Sequence, residues 1–376
     1  QTLVDVQANG KAVHGFDVKW NTKPFDDAYT DDELEAFVYE HTDTWCHGYM
    51  NSLHGYDRKK KYFELFFTKI QKPDARFVRA DKSYRIDKEG NVNCFMTFSE
   101  LSEGQLTMLL KNVGSGNYNR FGREIKFADE WLVDGSLLTA HRLGNFPYNG
   151  TYDDSKRFMK IGEEVVLNIF QGYSSLIKTP FEDRDRLIAP WIALTKALCE
   201  GDNTDAELRE KCFVFHRNVL AKKIQDPTSK IGFLVILEGK TRTGKNVHMT
   251  PVGKLLGDEQ YFITSKLGDI VGEHATLWVG KLLVIVNECE VKVKDKDTDG
   301  ILKSHITDTM QTVNPKCKTM YKIEDYAQYA AFSNKENIIP FDVNSGDGKV
   351  VSFHCGEEYR NRTGEFWGGI VEHFER

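Results

Sequence analysis

The chain of 376 residues lacks the cysteine pattern of a disulfide-bonded or zinc-stabilised protein. Its cysteines number seven, an odd count, and no two of them form a Cys-x-x-Cys pair. This pattern argues against a disulfide framework and a zinc ribbon, and it favours a reducing, intracellular compartment. One stretch gathers His41, Cys46, His47 and His54, but their spacing fits no standard zinc site.

Long apolar runs, repeats and an excess of positive charge are missing as well. No run approaches the roughly 18 apolar residues of a membrane-spanning helix, and residues 1–10 do not resemble a signal peptide. We therefore expect no membrane partner. The net charge of −6 means that any contact with nucleic acid has to come from a local basic patch. The first residue is Gln1 rather than Met, and we expect the sequence to be a piece of a longer protein.

The length and composition suit a globular protein of roughly two or three domains. Residues 1–165 predict a mixed α+β region. "TDDELEAFVYEH" begins with Thr30 and Glu33 at capping-box spacing, which predicts a helix, and residues 84–99 predict a hairpin. We interpret the basic run "DRKKKYF" at 57–63 as a solvated face, with contact to nucleic-acid phosphates as the alternative.

Residues 166–230 predict a helical segment. One helix reaches a glycine stop at Gly201, and the next begins at a capping box of Thr204 and Glu207 and ends before Pro227. Short apolar runs then follow, separated by loops: "FLVIL" (233–237), "YFIT" (261–264), "LLVIV" (282–286), "AQYAAF" (327–332) and "VVSFH" (350–354). Runs this short and unalternated predict strands buried on both faces, as in a parallel α/β sheet.

"EGKTRTGKNVHM" has the Gly-x-x-x-x-Gly-Lys spacing of a phosphate-binding loop at Gly239, Gly244 and Lys245. The spacing alone arises by chance in roughly one or two chains in ten of this length. The flanks favour a nucleotide site, because a buried strand ends directly before Gly239 and a helical stretch follows Lys245. In that arrangement backbone N–H groups and the helix N-terminus surround a phosphate. Pro251 predicts that the helix is kinked or ends early.

Polar residues end two further apolar strands. "LLVIVNECE" ends in Asn287 and Glu288, the form of a Walker B strand, and we expect this tip beside the phosphate loop. Glu288 is placed to polarise an attacking water, and Asn287 to hold the shell of a metal ion. "AQYAAFSNKEN" ends in Ser333 and Asn334, and the Asn334 amide is placed to touch a γ-phosphate or to orient water.

With these motifs, the run from about 165 to 354 resembles the superfamily 3 helicase domain of primase-helicases from large DNA viruses, phages and related mobile elements. The matching stretches include "LEGKTRTGKNVHMTPVGKLLG", "LLVIVNECE" and "ILKSHITDTMQTVNPKCKTMYKIEDYAQYAAFSN". The resemblance implies an α/β P-loop NTPase (AAA+-like) at 231–376, preceded by ring-contacting helices at 166–230 and an accessory α+β region at 1–165. It also implies a ring, usually a hexamer, that hydrolyses ATP, translocates on single-stranded DNA and unwinds DNA during viral or mobile-element replication, alongside a primase or polymerase.

The resemblance assigns roles to individual residues. ATP is expected at Gly239, Thr243, Gly244, Lys245 and Asn246. Mg²⁺ is expected at Asn246, Asn287 and Glu288, since a carboxamide oxygen of Asn246 replaces the usual hydroxyl. Single-stranded DNA is expected at Lys316, Lys318 and Lys322, in a hairpin that projects into the channel of such rings.

The sequence departs from the family before the final strand, where an Arg-Arg pair usually supplies a finger to the nucleotide of the neighbouring subunit and Lys349 stands instead. Lysine lacks the bidentate fork of arginine and stabilises a phosphoryl transition state less well. By position, Lys349 is the candidate for this stabilising residue, and Arg360 or Arg362 could substitute for it. The missing pair favours an alternative function, a degenerate nucleotide-binding ring that holds DNA or recruits replication proteins without unwinding. The long "ITDTMQTVNPKCKTMYK" insertion argues against a third possibility, a small-molecule kinase.

Overall fold

The computed structural model describes residues 45–86, 92–173, 184–201, 204–288, 296–334 and 348–372. The chain forms two compact units, an N-terminal unit (Gln1–His141) and a C-terminal unit (Arg142–Arg376). The division of the chain at residues 165 and 230 stays a prediction. The helix expected at Thr30 lies outside the described residues.

The N-terminal unit combines short helices with two small sheets. Its described helices are α1 (His47–Ser52), α2 (Tyr56–Phe66), α3 (Glu103–Leu109) and α4 (Phe127–Val133). Its strands are β1 (Phe67–Ile70), β2 (Arg76–Ile86), β3 (Val92–Leu101), β4 (Gly114–Tyr118), β5 (Glu124–Lys126) and β6 (Thr139–Ala140). One sheet has the order β3-β2-β1-β6, and β4 and β5 form a separate hairpin. Antiparallel pairing of β2 with β3 confirms the hairpin predicted at 84–99, whose turn lies outside the described residues.

The basic run of α2 is held by internal contacts more than the sequence predicts. Lys59 is buried and its ammonium donates to the carbonyl of Gly114 over 2.5 Å. Lys60 pairs with the carboxylate of Asp134 over 2.7 Å. The prediction of a wholly solvated face is therefore wrong for these two lysines, because α2 packs its basic side against β4 and the end of α4.

The C-terminal unit opens with a three-stranded sheet and two long helices. The sheet has the order β7-β9-β8, made from β7 (Arg142–Gly144), β8 (Phe158–Ile161) and β9 (Glu164–Asn168). The helices α5 (Arg184–Glu200) and α6 (Ala206–Gln225) confirm the predicted helical pattern. The predicted cap of α6 is wrong by one residue: the carboxylate of Asp205 accepts the first backbone N–H groups, at 2.9 and 3.3 Å. An anion also suits the positive end of a helix.

A five-stranded parallel sheet forms the centre of this unit. Its strands are β10 (Leu234–Glu238), β11 (Tyr261–Thr264), β12 (Leu283–Asn287), β15 (Gln328–Ser333) and β16 (Val350–His354), in the order β11-β12-β15-β10-β16. All neighbouring pairs are parallel. The five apolar runs thus form the strands that the sequence predicts, and the mixed α/β prediction with a parallel sheet is confirmed.

The remaining elements cover the sheet or follow it. They are α7 (Lys245–Leu256), α8 (Gly268–Val271), α9 (Lys296–Thr307), the hairpin of β13 (Met310–Val313) and β14 (Tyr321–Glu324), and α10 (Gly364–Glu372). Along β10, Val235 and Leu237 enter one apolar core with α5, α6 and α7, while Leu234 and Ile236 enter another with α9 and the β13–β14 hairpin. Each fully buried aliphatic side chain contributes about 1.5–3 kcal/mol relative to exposure, so both faces of the sheet stabilise its position.

The helix after the phosphate loop continues through Pro251 to Leu256, so the prediction of an early end is wrong. Pro251 lies in its second turn and is buried. The packing of Met249 and Val252 in the core offsets the hydrogen bond that a proline cannot donate. In the described part of the chain, no helix has both the length and the apolar character needed to cross a membrane.

Candidate nucleotide site

Three strand ends meet at one edge of the parallel sheet. Strands β12, β15 and β10 are neighbours, and their register aligns Asn287 with Phe332 and Glu238 with Ser333. The backbone N–H of Gly239 donates to the carbonyl of Ser333 over 3.0 Å, which fixes the start of the loop against the end of β15. The carboxyl edge of a parallel sheet is where α/β proteins bind ligands.

The loop between β10 and α7 turns sharply at Gly244, the residue that caps α7. Gly244 has φ +97°, a left-handed conformation that L side chains rarely adopt. A Cβ here would also lie 2.8 Å from Leu194 of α5 and from the Trp367 ring of α10. Glycine is therefore required both by the backbone angle and by the close approach of two helices. The same turn exposes the positive end of α7 to the cleft.

The ammonium of Lys245 lies inside the loop. It donates to the carbonyl oxygens of Gly239 and Lys240, at 2.7 and 2.8 Å, and to the amide oxygen of Asn334 at 3.1 Å. Burial lowers the pKa of Lys245, while the nearby Cys355 and Glu288 act in the opposite direction. The loop thus presents a partly desolvated cation at the point where the strand ends meet.

The predicted acidic tip lies on the same cleft. Asn287 ends β12 and is half-buried, and Glu288 follows it, exposed, with a left-handed φ of 55°. A carboxylate residue rarely adopts this conformation, which here turns the chain directly after the strand. Asn246, in the first turn of α7, is exposed beside them. Two carboxamides and one carboxylate therefore line the same cleft as Lys245.

The cleft has a volume of about 550 Å³ and brings together most of the predicted nucleotide residues. Its lining includes Thr243, Gly244, Lys245, Asn246, Asn287, Glu288 and Asn334. Gly239 lies at the base of the loop and accepts from Lys245. The predicted roles of these residues stay predictions, but their proximity is a property of the fold.

A C-terminal segment completes the lining of the cleft. The sequence offers only Arg360 or Arg362 of this segment, as substitutes for the usual arginine pair. Asn361, Arg362 and Trp367 border the same cleft. Arg360 instead donates to Glu357 over 2.7 Å, and Glu357 also pairs with Lys240 of the loop over 2.5 Å. Of the two arginines that the sequence leaves open, Arg362 is therefore the one at the cleft. No local motif marks this segment, because its position depends on α10 packing beside Gly244.

Lys349 lies far from the cleft within its own chain. It precedes β16, and its carbonyl accepts from the backbone N–H of Leu234 at the start of β10. The phosphate loop follows the other end of β10, roughly 15 Å away for a strand of this length. The structure does not bring Lys349 together with Lys245, and a role for Lys349 in a neighbouring subunit stays a prediction.

The lysines expected to bind DNA lie on the β13–β14 hairpin, which confirms the predicted hairpin but not its ligand. Lys316 and Lys318 lie in its turn and Lys322 on β14, and all three are exposed. The base is fixed by Glu324, whose carboxylate accepts from the Arg142 guanidinium over 2.8 and 3.2 Å. The hairpin therefore presents its lysines from an anchored base.

A buried histidine pair lies beneath the phosphate loop. The Nε2 atoms of His216 on α6 and His248 on α7 are 3.0 Å apart, and Nδ1 of His248 lies 2.9 Å from the carbonyl of Lys245. Donation from Nδ1 to that carbonyl leaves Nε2 of His248 to accept from His216. Burial lowers the pKa of His216 to about 3 and that of His248 to about 4. Both rings are therefore neutral near pH 7 and join α6 to the loop helix.

The comparisons with known proteins give a fold but no family membership. Residues 237–349 match a family of unknown function, DUF5906, and this match covers less than half of the chain. No curated protein matches the sequence.

Two solved structures of the C-terminal region of NrS-1, both in the apo form, resemble the chain. One, of residues 305–718 of that protein, is 17% identical with a TM-score of 0.51. The other, an A form, is 18% identical with the same TM-score. Each alignment covers 79% of this chain and 64% of the other chain. This chain therefore spans less than two thirds of the length of the chains that it matches. At this identity the likeness shows a shared fold.

Proposed function

We propose that the chain is a P-loop ATPase of the superfamily 3 helicase type, which hydrolyses ATP with Mg²⁺ and moves on single-stranded DNA during the replication of a virus or mobile element. The observation that carries this proposal is the convergence of Lys245, Glu288 and Asn334 at one cleft beside a glycine-capped helix N-terminus. Each comes from a different element of the parallel sheet or its first crossover. Such a cleft suits a polyphosphate.

The side chains of the cleft divide the work of phosphoryl transfer between them. The Lys245 ammonium, now held by loop carbonyls, is free to turn to phosphate oxygens, which are stronger acceptors. The exposed Glu288 carboxylate accepts a hydrogen bond from the attacking water and orients it. The Asn334 amide senses the terminal phosphate through its contact with Lys245. Arg362 supplies a second positive charge from the same chain.

The residues present also fit a magnesium ion. Hard oxygen donors are what Mg²⁺ prefers, and Asn246, Asn287 and Glu288 offer two carboxamide oxygens and a carboxylate on one cleft. These residues would hold the ion directly or through its waters. When bound, Mg²⁺ neutralises charge on the phosphates during transfer.

ATP turnover with and without single-stranded DNA tests the proposal. Lys245→Ala should abolish turnover and leave a cooperative thermal unfolding transition. Lys254→Ala is the matched control, since Lys254 is an exposed lysine on the same helix. Unchanged turnover in Lys245→Ala, or equal loss in both variants, would remove the phosphate loop from the account.

A second candidate is a ring that binds nucleotide and holds DNA without unwinding it. The missing Arg-Arg pair favours this candidate, because Lys349 stands at that position and a lysine lacks the bidentate fork that stabilises a phosphoryl transition state. DNA-stimulated turnover combined with strand displacement would dismiss it. ATP binding and oligomer formation without turnover would establish it instead. Mass photometry during the same assay would give the number of subunits in the predicted homo-oligomer.

A further inference from the structure

The β4–β5 hairpin of the N-terminal unit carries exposed aromatic rings among cations. Tyr118 is 67% exposed and Phe121 is 73% exposed. Single exposed apolar side chains are common on proteins, but here two exposed aromatic side chains lie three residues apart at the end of one hairpin. The Arg120 guanidinium lies 4.7 Å from the centre of the Phe121 ring, which leaves that ring next to a positive charge.

Hydrogen bonds of Asn119 hold the tip of this hairpin in one conformation. The side-chain oxygen of Asn119 accepts from the backbone N–H groups of Phe121 and Arg123, at 2.9 and 3.1 Å. The backbone N–H of Asn119 donates to the carbonyl of Arg123 over 2.9 Å and closes the loop. At the other end of β4, the buried Lys59 anchors Gly114. The aromatic rings are therefore presented from a preformed backbone, which lowers the entropic cost of binding.

The charge around the tip is positive in a chain that is negative overall. From residue 111 to residue 126 the exposed cations are Lys111, Arg120, Arg123 and Lys126, and Arg120 and Arg123 lie in the turn between the two strands. The one carboxylate of this segment is Glu124, which accepts from the backbone N–H of Gly116 over 3.1 Å. On α4, Glu130 accepts from Asn117 over 2.6 Å. Glu124 and Glu130 thus each have a partner within the hairpin, while the side chains of Arg120 and Arg123 are exposed.

We propose that this hairpin binds single-stranded nucleic acid, with bases stacked on Tyr118 and Phe121 and phosphates paired with Arg120 and Arg123. Aromatic rings that accept bases and cations that follow the backbone are the two parts of a single-strand site. A protein partner would suit the rings but gives no reason for the two exposed arginines beside them. The site lies in the N-terminal unit and does not depend on the nucleotide cleft or on the β13–β14 hairpin.

Fluorescence anisotropy with a labelled oligodeoxythymidine of about 16 nucleotides tests the proposal on the full chain. Tyr118→Ser and Phe121→Ser should each weaken the affinity by roughly 5- to 100-fold without changing its dependence on salt. Arg120→Gln and Arg123→Gln should lower the slope of log K against log salt by about 0.7 for each lost phosphate contact. Phe121→Trp keeps a stacking ring and should keep the affinity.

Met108→Ser is the matched control, since Met108 is 77% exposed in the same unit but lies outside the hairpin. The measurements are made without nucleotide, and they are repeated in a Lys316→Ala/Lys318→Ala/Lys322→Ala background to remove the other expected DNA contact. All substituted side chains are exposed, so thermal unfolding should be unchanged. Wild-type affinity in both aromatic variants, equal weakening by Met108→Ser, or no binding by the unsubstituted chain would each overturn the proposal. An ATPase failure with normal DNA binding would leave it standing.

Discussion

The ammonium of Lys245 donates to the amide oxygen of Asn334 over 3.1 Å, and this contact joins the phosphate-loop helix to the end of β15. The two residues are 89 positions apart in the chain. Strand order brings them together, because β10 and β15 are direct neighbours in the sheet. In the proposed function, this contact links the lysine to the group that would sense the terminal phosphate.

Substitution of Asn334 should separate sensing from binding. Asn334→Ala removes the amide but no charge, so ATP should still bind within a few-fold while turnover falls about tenfold or more, equivalent to ~1.4 kcal/mol. Asn334→Asp places a carboxylate beside Lys245. This carboxylate competes with the phosphate for the ammonium, and it also repels the phosphate. We expect ATP affinity to fall about tenfold or more, measured by titration calorimetry. Equal ATP affinity in the two variants would contradict this reasoning.

Glu288 and Asn287 should have different tasks although they are adjacent. Glu288→Gln keeps the size of the side chain but loses the carboxylate, so ATP should still bind while turnover falls on the order of a hundredfold. Asn287→Asp adds a hard anionic ligand and should support turnover at lower Mg²⁺ concentrations. Turnover measured at several Mg²⁺ concentrations tests both variants. Loss of ATP binding in Glu288→Gln would count against the division.

Arg362 should act on the nucleotide of its own chain, since it lines the cleft while Arg360 pairs with Glu357. Arg362→Ala should reduce turnover on the order of a hundredfold, whereas Arg360→Ala should stay near wild type. Arg362→Lys should restore part of the activity, because lysine keeps the charge without the fork.

Mixing variants distinguishes action within a chain from action across a ring. Arg362→Ala chains mixed with Lys245→Ala chains contain each residue intact, but never in one chain. If Arg362 acts in its own chain, the mixture stays inactive. Recovered turnover would assign the arginine to the neighbouring subunit.

The sequence predicts the parallel sheet well because its strands are apolar on both faces. Short, unalternated apolar runs are typical of strands that are buried on both faces. The sequence also predicts that the phosphate loop, Glu288 and Asn334 lie near one another because each directly follows such a strand. It places the cap of α6 at Thr204 instead of Asp205, since adjacent Thr and Asp residues are both good caps and only the backbone chooses between them. It gives no sign that Trp367 reaches Gly244, because that contact depends on how α10 packs.

The buried pair of His216 and His248 should make stability depend on pH. In the unfolded chain each histidine titrates near 6.5, whereas burial lowers the folded pKa values to about 3 and about 4. The unfolded state therefore binds more protons below pH 6.5, so this stability is complete above that pH and is lost as the pH falls. The loss is up to about 1.4 kcal/mol per pH unit for each histidine.

Urea unfolding at several values between pH 7.5 and 5 measures this dependence, above the range in which most carboxylates titrate. The double variant His216→Leu/His248→Leu removes both rings without leaving one ring nitrogen unpaired, and its free energy of unfolding should vary less with pH. His54→Gln is the control, because His54 is exposed in the N-terminal unit. A double variant with the full pH dependence of the wild type would assign the effect to other groups.

The last prediction concerns the lysines of the β13–β14 hairpin. Lys316 and Lys318 lie exposed in a turn whose base is held by Glu324 and Arg142. In a ring, such hairpins would concentrate positive charge around a threaded strand even though each chain carries a net charge of −6. Lys316→Ala and Lys318→Ala should therefore weaken the binding of single-stranded DNA and leave basal ATP turnover nearly intact.

The dependence on salt separates this contact from a general loss of charge. Each lost phosphate contact should flatten the slope of log K against log salt by about 0.7, measured by anisotropy at several salt concentrations. Lys211→Ala is the control, since Lys211 is an exposed lysine of α6 paired with Glu207. An unchanged slope and affinity in the Lys316 and Lys318 variants would move the DNA path elsewhere. The buried Lys59 and the paired Lys60 make the α2 run a poor substitute, and the β4–β5 hairpin would then be the first place to look.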